Sequence, residues 1–215
     1  MRFALLFAAA SLVAQTPPVP VEVPGSFPVE LLVQSPAATK TELQVICLFH
    51  ADPQTKLQGS LSEIDEKLGG LLTNIRKQNL FAGNLGETLL IAPKPNTIPA
   101  RKLLLVGLGD IKSFSPEREQ EVGFIVFEEA KRLAVAHPFF APTVLDGGKS
   151  GMDTGAVADQ FLRGFLRAKA SEDALVRAGI SSGKNPTAFT FLAGAAHAAD
   201  TKVGLARAES SIDMH

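Results

Sequence analysis

Three glycine-containing stretches have residue types that could hold a phosphate on backbone N–H groups. TVLDGGKS, residues 143–150, ends in the glycine-lysine-serine of a nucleotide-binding loop. Such a loop also needs glycine at its first position, so that the backbone can fold around the phosphate. Thr143 stands there, and Val144 and Leu145 still read as strand, so the stretch is a glycine-rich turn ahead of a helix. SSGKNPT, residues 181–187, places Asn185 where the hydroxyl residue is required. VGLGD, residues 106–110, follows a strand correctly but has Lys112 where a dinucleotide fingerprint has its third glycine. A weaker role is left. Loops at the carboxyl ends of strands line the ligand crevice of an open α/β sheet. Gly107, Gly109, Asp110, Gly147 and Gly148 are therefore the candidate ligand-loop positions. The plainer alternative is that these glycines only let the chain turn, with Asp110 in solvent.

Nucleophilic and metal chemistry find less support. Cys47 is the single cysteine, set in the apolar run LQVICLF, where a buried, inert thiol is the ordinary role. His50 is three residues on, which places it about 10 Å along an extended strand and on the opposite face. The four histidines, at 50, 137, 197 and 215, form no pair at ligand spacing, and neither an HExxH nor a G-x-S-x-G segment occurs. No catalytic residue, metal ligand or cofactor is assigned.

The elements that would position such loops alternate. VELLVQ (29–34) and LQVICLF (43–49) read as strands. Residues 60–79 read as one helix with Leu61, Ile64, Leu68, Leu71, Leu72 and Ile75 on a single stripe, Ser60 and Glu63 at capping-box spacing, and Gly69-Gly70 weakening its middle. TLLIA and KLLLV are apolar on both faces and are expected at the centre of the sheet. Between them come Pro93, Pro95 and Pro99. A helix begins at Ser115-Pro116, with Glu117 and Glu119 at the positive end of its dipole, and runs to His137-Pro138. APTVLDGG (141–148) is a strand and its exit turn, 154–170 a helix, 187–194 a last strand and 195–213 a last helix. The expected fold is α/β: a three-layer α/β/α sandwich around a mixed, mostly parallel sheet.

With 215 residues, 46% hydrophobic and 20% charged, the chain fits one globular core, and a net charge of −1 supplies no field toward nucleic acid. Its first 14 residues carry Arg2 and then an apolar run of signal-peptide length, too short to span a bilayer. The expected organisation is thus a signal peptide (1–14), a proline-rich tether (15–28) that stays out of the core, and one domain (29–215), in an exported protein with no transmembrane span.

One ordered set of features resembles a known family. Phe81, Gly83 and Gly86 precede a strand; Arg101 leads a second strand ending in Val106-Gly107-Leu108-Gly109; a closing helix carries Leu205-Ala206-Arg207. In this order the chain is similar to the N-terminal domain of the leucyl aminopeptidase (cytosol aminopeptidase) family over roughly residues 29–207. The resemblance implies a macro-domain-like fold. It also implies that the family's two-metal chemistry belongs to a C-terminal domain, whose signature this sequence lacks. Ala208 departs from the family's usual aspartate, and the leader departs from its usual cytosolic setting. Three functions are therefore expected in order: a non-catalytic exported domain for recognition or accessory use, with an unnamed protein or peptide partner or an oligomer left open; a macro-type binder of a nucleotide or ADP-ribose-like ligand; and one part of a metallo-aminopeptidase completed by a separate chain.

Overall fold

The computed structural model describes residues 18–50 and 56–212. The expected signal peptide and the first residues of the tether lie outside that range. Among the described residues the strands are β1 (Val21–Val23), β2 (Val29–Val33), β3 (Leu43–His50), β4 (Thr88–Ile91), β5 (Lys102–Asp110), β6 (Phe139–Ala141) and β7 (Phe189–Ala193). They form one sheet in the order β1-β2-β7-β6-β3-β5-β4. The five inner strands are mutually parallel, and β1 and β4 run antiparallel at the two edges.

The helices are α1 (Gly59–Lys67), α2 (Leu71–Lys77), α3 (Glu119–Arg132), α4 (Thr154–Arg177) and α5 (Ala198–Ile212). Strand side chains alternate between faces, and the two faces build separate cores. Val45, Cys47 and Phe49 of β3 join Leu104, Val106 and Leu108 of β5 under α3, α4 and α5. Ile46 and Leu48 join Leu103 and Leu105 on the other face, under Leu61 and Ile64 of α1 and Leu72 and Ile75 of α2. This is the three-layer α/β/α sandwich with a mixed, mostly parallel sheet. The first core is dominated by phenylalanine. Phe161 of α4 stacks on Phe140 of β6 at 3.8 Å, and Phe165 meets Phe127 of α3 edge-on at 5.4 Å.

Five local expectations are corrected. TLLIA is an edge strand: β4 pairs with β5 alone, and Leu90 remains exposed. The chain turns back between β4 and β5, so β4 pairs antiparallel with its successor, and no strand lies beyond it; β3, buried from Leu43 to Phe49, is an inner strand on the other side of β5. The helix expected over 60–79 is two, because Gly69 and Gly70 adopt φ of 67° and 80°, left-handed values that end α1 and start α2. The strand expected from Ala141 onward ends there, since Pro142 has no N–H for the ladder.

The fourth correction concerns the tether. Val21–Val23 pairs with β2, and Val23 and Phe27 are buried in the first core. Alternating valines make an edge strand that Pro20 and Pro24 can flank, because an outer edge needs no N–H from them. The expected helix end at His137-Pro138 also moves back: α3 stops at Arg132 and Ala134 turns with φ 54°.

Candidate functional site

The carboxyl ends of β2, β6 and β7 open into a cleft of about 570 Å³. Its floor is apolar, formed by Val33, Ala141, Leu192 and Ala193 at the strand ends. Met152, which is half-buried, and the buried Val157 and Phe191 lie behind the lining on the side of the first core. A polar side comes from the loop after β2, the start of α1 and the loop after β6, with Ser35, Ser60, Glu63 and Asp146; Thr154, His197 and Thr201 add polar groups from α4 and the start of α5.

The polar side is tied together by its own hydrogen bonds. Ser35 Oγ donates to Glu63 Oε2 at 2.5 Å. The backbone N–H of Ser60 donates to Asp146 Oδ2 at 3.1 Å, and the Ser60 hydroxyl donates to the same oxygen. Asp146 thus caps α1 from 86 residues away. The N-cap residue itself, Gln58, makes no side-chain capping bond, and the expected capping box between Ser60 and Glu63 does not form. Glu63 instead reaches Lys67, 3.3 Å away.

Thr143, on the floor, has φ 50°, an unusual value for a β-branched residue. Its Oγ1 accepts from Cys47 N–H at 3.0 Å and donates to Cys47 O at 2.6 Å. The side chain stands in for the ladder contact that Pro142 cannot make, which anchors the turn of residues 143–147 against β3. Asp153 caps α4 by accepting from Ala156 N–H at 3.0 Å, next to Thr154 at the cleft's margin.

The five loop positions singled out by sequence lie outside this lining. Their backbone donors are also engaged. Gly107 N–H donates to Glu87 O at 2.8 Å and Gly109 N–H to Gly83 O at 2.9 Å, while Gly147 and Gly148 donate to Thr143 O and Leu145 O. Asp110 is exposed and accepts from Lys112 N–H at 2.9 Å. Gly107 has a packing reason for its identity, since a Cβ there would run into the Asn84 carbonyl. Lys149, of the Lys-Ser pair, donates to Ile111 O at 2.8 Å. Sequence reasoning misses Ser60, Glu63, Asp146 and His197 as cleft residues; for Asp146 and His197 the one signal available is their place shortly after a strand end, and Ser60 and Glu63, on α1, have none.

Titratable groups away from the cleft include one unusual acid. Glu119, expected as a charge at the positive end of the helix dipole, is fully buried at the first residue of α3. Neither carboxyl oxygen has a hydrogen-bond partner, and burial pushes its pKa up to about 8. At neutral pH it carries its proton. Cys47 is a free, buried thiol whose pKa is raised well above the ordinary value, by burial first and then by Glu119. It stays protonated and is no nucleophile. Among the described residues, no group of three or more His, Cys, Asp or Glu is placed to hold a metal ion, and no helix is long and apolar enough to cross a membrane.

The fold, a mostly parallel sheet between two helical layers with a cleft at the strand ends, is macrodomain-like. A mutant form of an Oceanobacillus iheyensis macrodomain has this fold with a TM-score of 0.63 at 13% identity, the likeness covering 93% of this chain and 100% of that one. The same organism's macrodomain with ADP scores 0.58 at 14% identity, over 93% and 100%. A mutant form of tomato leucine aminopeptidase matches with a TM-score of 0.60 at 16% identity, over 88% of this chain and 37% of that one. In sequence, a probable cytosol aminopeptidase of Thermosynechococcus vestitus is 32% identical over 102 residues, 45% of this chain and 20% of the relative's length. The model of the cytosol aminopeptidase family's N-terminal domain matches residues 45–169, more than half of the chain, and the chain belongs to that family. It spans about a fifth of the length of the curated relative it matches.

Proposed function

We propose that this chain is an exported, non-catalytic recognition domain that binds a small ligand, or a side chain of a partner, in the cleft at the ends of β2, β6 and β7. The observation that carries this reading is the cleft itself: about 570 Å³ with an apolar floor and one polar side, the size and character of a small-molecule site. The hydroxyl nearest to a nucleophile's role is Ser60. Its hydroxyl and its amide both go to one Asp146 oxygen, which is the geometry of helix capping and not of a nucleophile held ready by a base. Export rests on the N-terminal sequence alone, with its single arginine and apolar run.

The test is a thermal-shift panel on the purified chain. A ligand at 100 times its Kd stabilises by about 2.7 kcal/mol, which for a chain of this size raises Tm by roughly 5–10 °C. The same preparation should not hydrolyse leucyl arylamides with added zinc or manganese. Metal-dependent turnover that follows this chain through several columns would defeat the non-catalytic reading. A mature N-terminus still beginning at Met1 in the growth medium or periplasm would count against cleavage of the leader.

A further inference from the structure

Three side chains at the amino-terminal ends of β2, β6 and β7, away from the cleft, form one chain of hydrogen bonds. Thr190 of β7 is fully buried. Its Oγ1 lies 2.7 Å from His137 Nε2 and donates to Glu30 Oε2 at 3.3 Å. The sheet register sets this row: Glu30 of β2 and Phe139 of β6 are the partners of Thr190 on its two sides. His137, just before β6, is half-buried, and its ring meets that of Phe139 with centroids 4.9 Å apart.

A hydroxyl has one proton to give. Thr190 spends it on Glu30. The contact with His137 is then a hydrogen bond only if Nε2 carries a hydrogen and the threonine oxygen accepts it. The neutral ring is therefore the Nε2–H tautomer, and Nδ1 is the nitrogen left to take a second proton. Among the described residues Nδ1 has no hydrogen-bond partner. Protonation thus puts a charge, and a donor without an acceptor, on a half-buried ring. Burial lowers the pKa of His137 from the ordinary 6.5, and the Glu30 carboxylate opposes this. Glu22 of β1 lies opposite Glu30 in register. The other charged groups on adjoining segments are Arg132 at the end of α3, paired with Glu129, and the exposed Lys184 ahead of β7.

The backbone around His137 ties two parts of the chain together. Ala136 O accepts from Thr187 N–H at 2.8 Å and Ala188 N–H at 3.2 Å, and Pro138 O accepts from Thr190 N–H at 3.2 Å. His137 sits between these two carbonyls, which join the α3–β6 connection to the start of β7.

We infer that His137, Thr190 and Glu30 form a pH-sensitive latch, closed while His137 is the neutral Nε2–H tautomer and loosened when Nδ1 takes a proton, which frees the α3–β6 connection from the start of β7. The folded ring holds its proton less tightly than the unfolded one. The stabilisation is therefore fully present above pH 6.5 and is lost as pH falls below that value through the folded pKa.

Two-bond 1H–15N spectra of the imidazoles in the full chain, from pH 8 to pH 5, test it, with His137 assigned by its absence in His137→Gln. Above pH 7 the hydrogen should be on Nε2, and the ring should titrate below 6.5. Glu30→Gln should make His137 bind its proton about threefold less tightly. Thr190→Val removes the acceptor and should leave neither tautomer dominant; if that variant fails to fold, Glu30→Gln carries the test. Amide exchange at Thr187 and Ala188, corrected for its intrinsic pH dependence, should be about threefold faster at pH 5.5 than at pH 7.5 in the wild type and unchanged with pH in His137→Gln. A dominant Nδ1–H tautomer, titration at or above 6.5, a His137 indifferent to Glu30→Gln, or the same acceleration of exchange in His137→Gln overturns the latch.

Discussion

Replacing Glu119 by glutamine should make the protein more stable at neutral pH, and the gain should depend on pH. In the folded chain this carboxyl is fully buried with both oxygens unpartnered, and its pKa is about 8 against an ordinary 4.5. The folded state therefore keeps a proton that the unfolded chain releases above about pH 4.5. Stability contributed at this position is fully present below 4.5, falls as pH rises and levels off above about 8. Each pH unit of that mismatch is worth about 1.4 kcal/mol, so the loss at pH 7 is about 3 kcal/mol and above pH 8 about 5 kcal/mol. For a domain whose whole stability is about 5–15 kcal/mol this is a large fraction.

Glutamine has the same shape and does not titrate. It leaves unpartnered amide hydrogens where the protonated acid leaves an unpartnered hydroxyl, so those two costs, about 1–3 kcal/mol each, largely cancel. The expected result is a variant more stable by about 2–3 kcal/mol at pH 7 and nearly unchanged at pH 4.5. Urea unfolding of both proteins at pH 5, 6, 7 and 8 would show it, because the difference between them removes the titration of every other group. Glu119→Met, which removes the unpartnered polar group altogether, should be more stable still. A stability difference that does not change with pH, or a wild type that gains stability relative to glutamine as pH rises, would refute the reasoning. It would mean that Glu119 is ionised in the fold and has found a partner.

Three further expectations follow from packing and capping. Gly107→Ala should cost roughly 3 kcal/mol, because its Cβ would collide with the Asn84 carbonyl and neither β5 nor the loop over it can yield cheaply; Tm and urea midpoints measure it. Removing residues 1–23 should lower stability by about 2 kcal/mol relative to removing 1–17, since the longer deletion takes β1 and the buried Val23 with it; equal Tm values would return the whole segment to the role of a tether. Asp146→Ala should cost about 1–2 kcal/mol by leaving the Ser60 N–H at the start of α1 without its acceptor, and amide exchange should quicken in the first turn of α1 while α4 is unaffected.

What can be read from sequence is whatever depends on neighbours in the chain. The helical stripe of Leu61, Ile64, Leu72 and Ile75 faces the second core as its spacing requires. The doubly apolar run of β5 lies inside the sheet between β3 and β4. The same composition misplaces β4, because a run of apolar residues does not say how many strands lie beside it; Leu90 is as apolar as Leu104 but has no layer above it. Glu119 shows the same limit for charge. Its place after Ser115-Pro116 suits a dipole-facing carboxylate, yet a 3-10 turn over Pro116–Arg118 precedes α3 and the side chain goes inward. The candidate site is the least legible part. The contact between Ser60 and Asp146 joins residues 86 apart, and no local pattern encodes it.

That contact also explains why the cleft and the fold are hard to separate. Pro142 ends β6, so Thr143 must satisfy Cys47 with its side chain, in a backbone conformation that a threonine rarely adopts. The turn held in this way delivers Asp146 to the start of α1. Asp146 in turn gives α1 the acceptor that its own N-cap, Gln58, does not supply. Asp146 is thus positioned by a structural need of the fold, and the need at Thr143 arises from a single proline. A side chain committed to holding a helix end moves little when a ligand arrives, which lowers the ordering cost of binding. It also means that a substitution at Asp146 must be judged on stability and binding together. Under the proposed recognition role, Glu63, paired with Ser35 and Lys67 at the protein surface, is the position at which to test binding with the fold left intact.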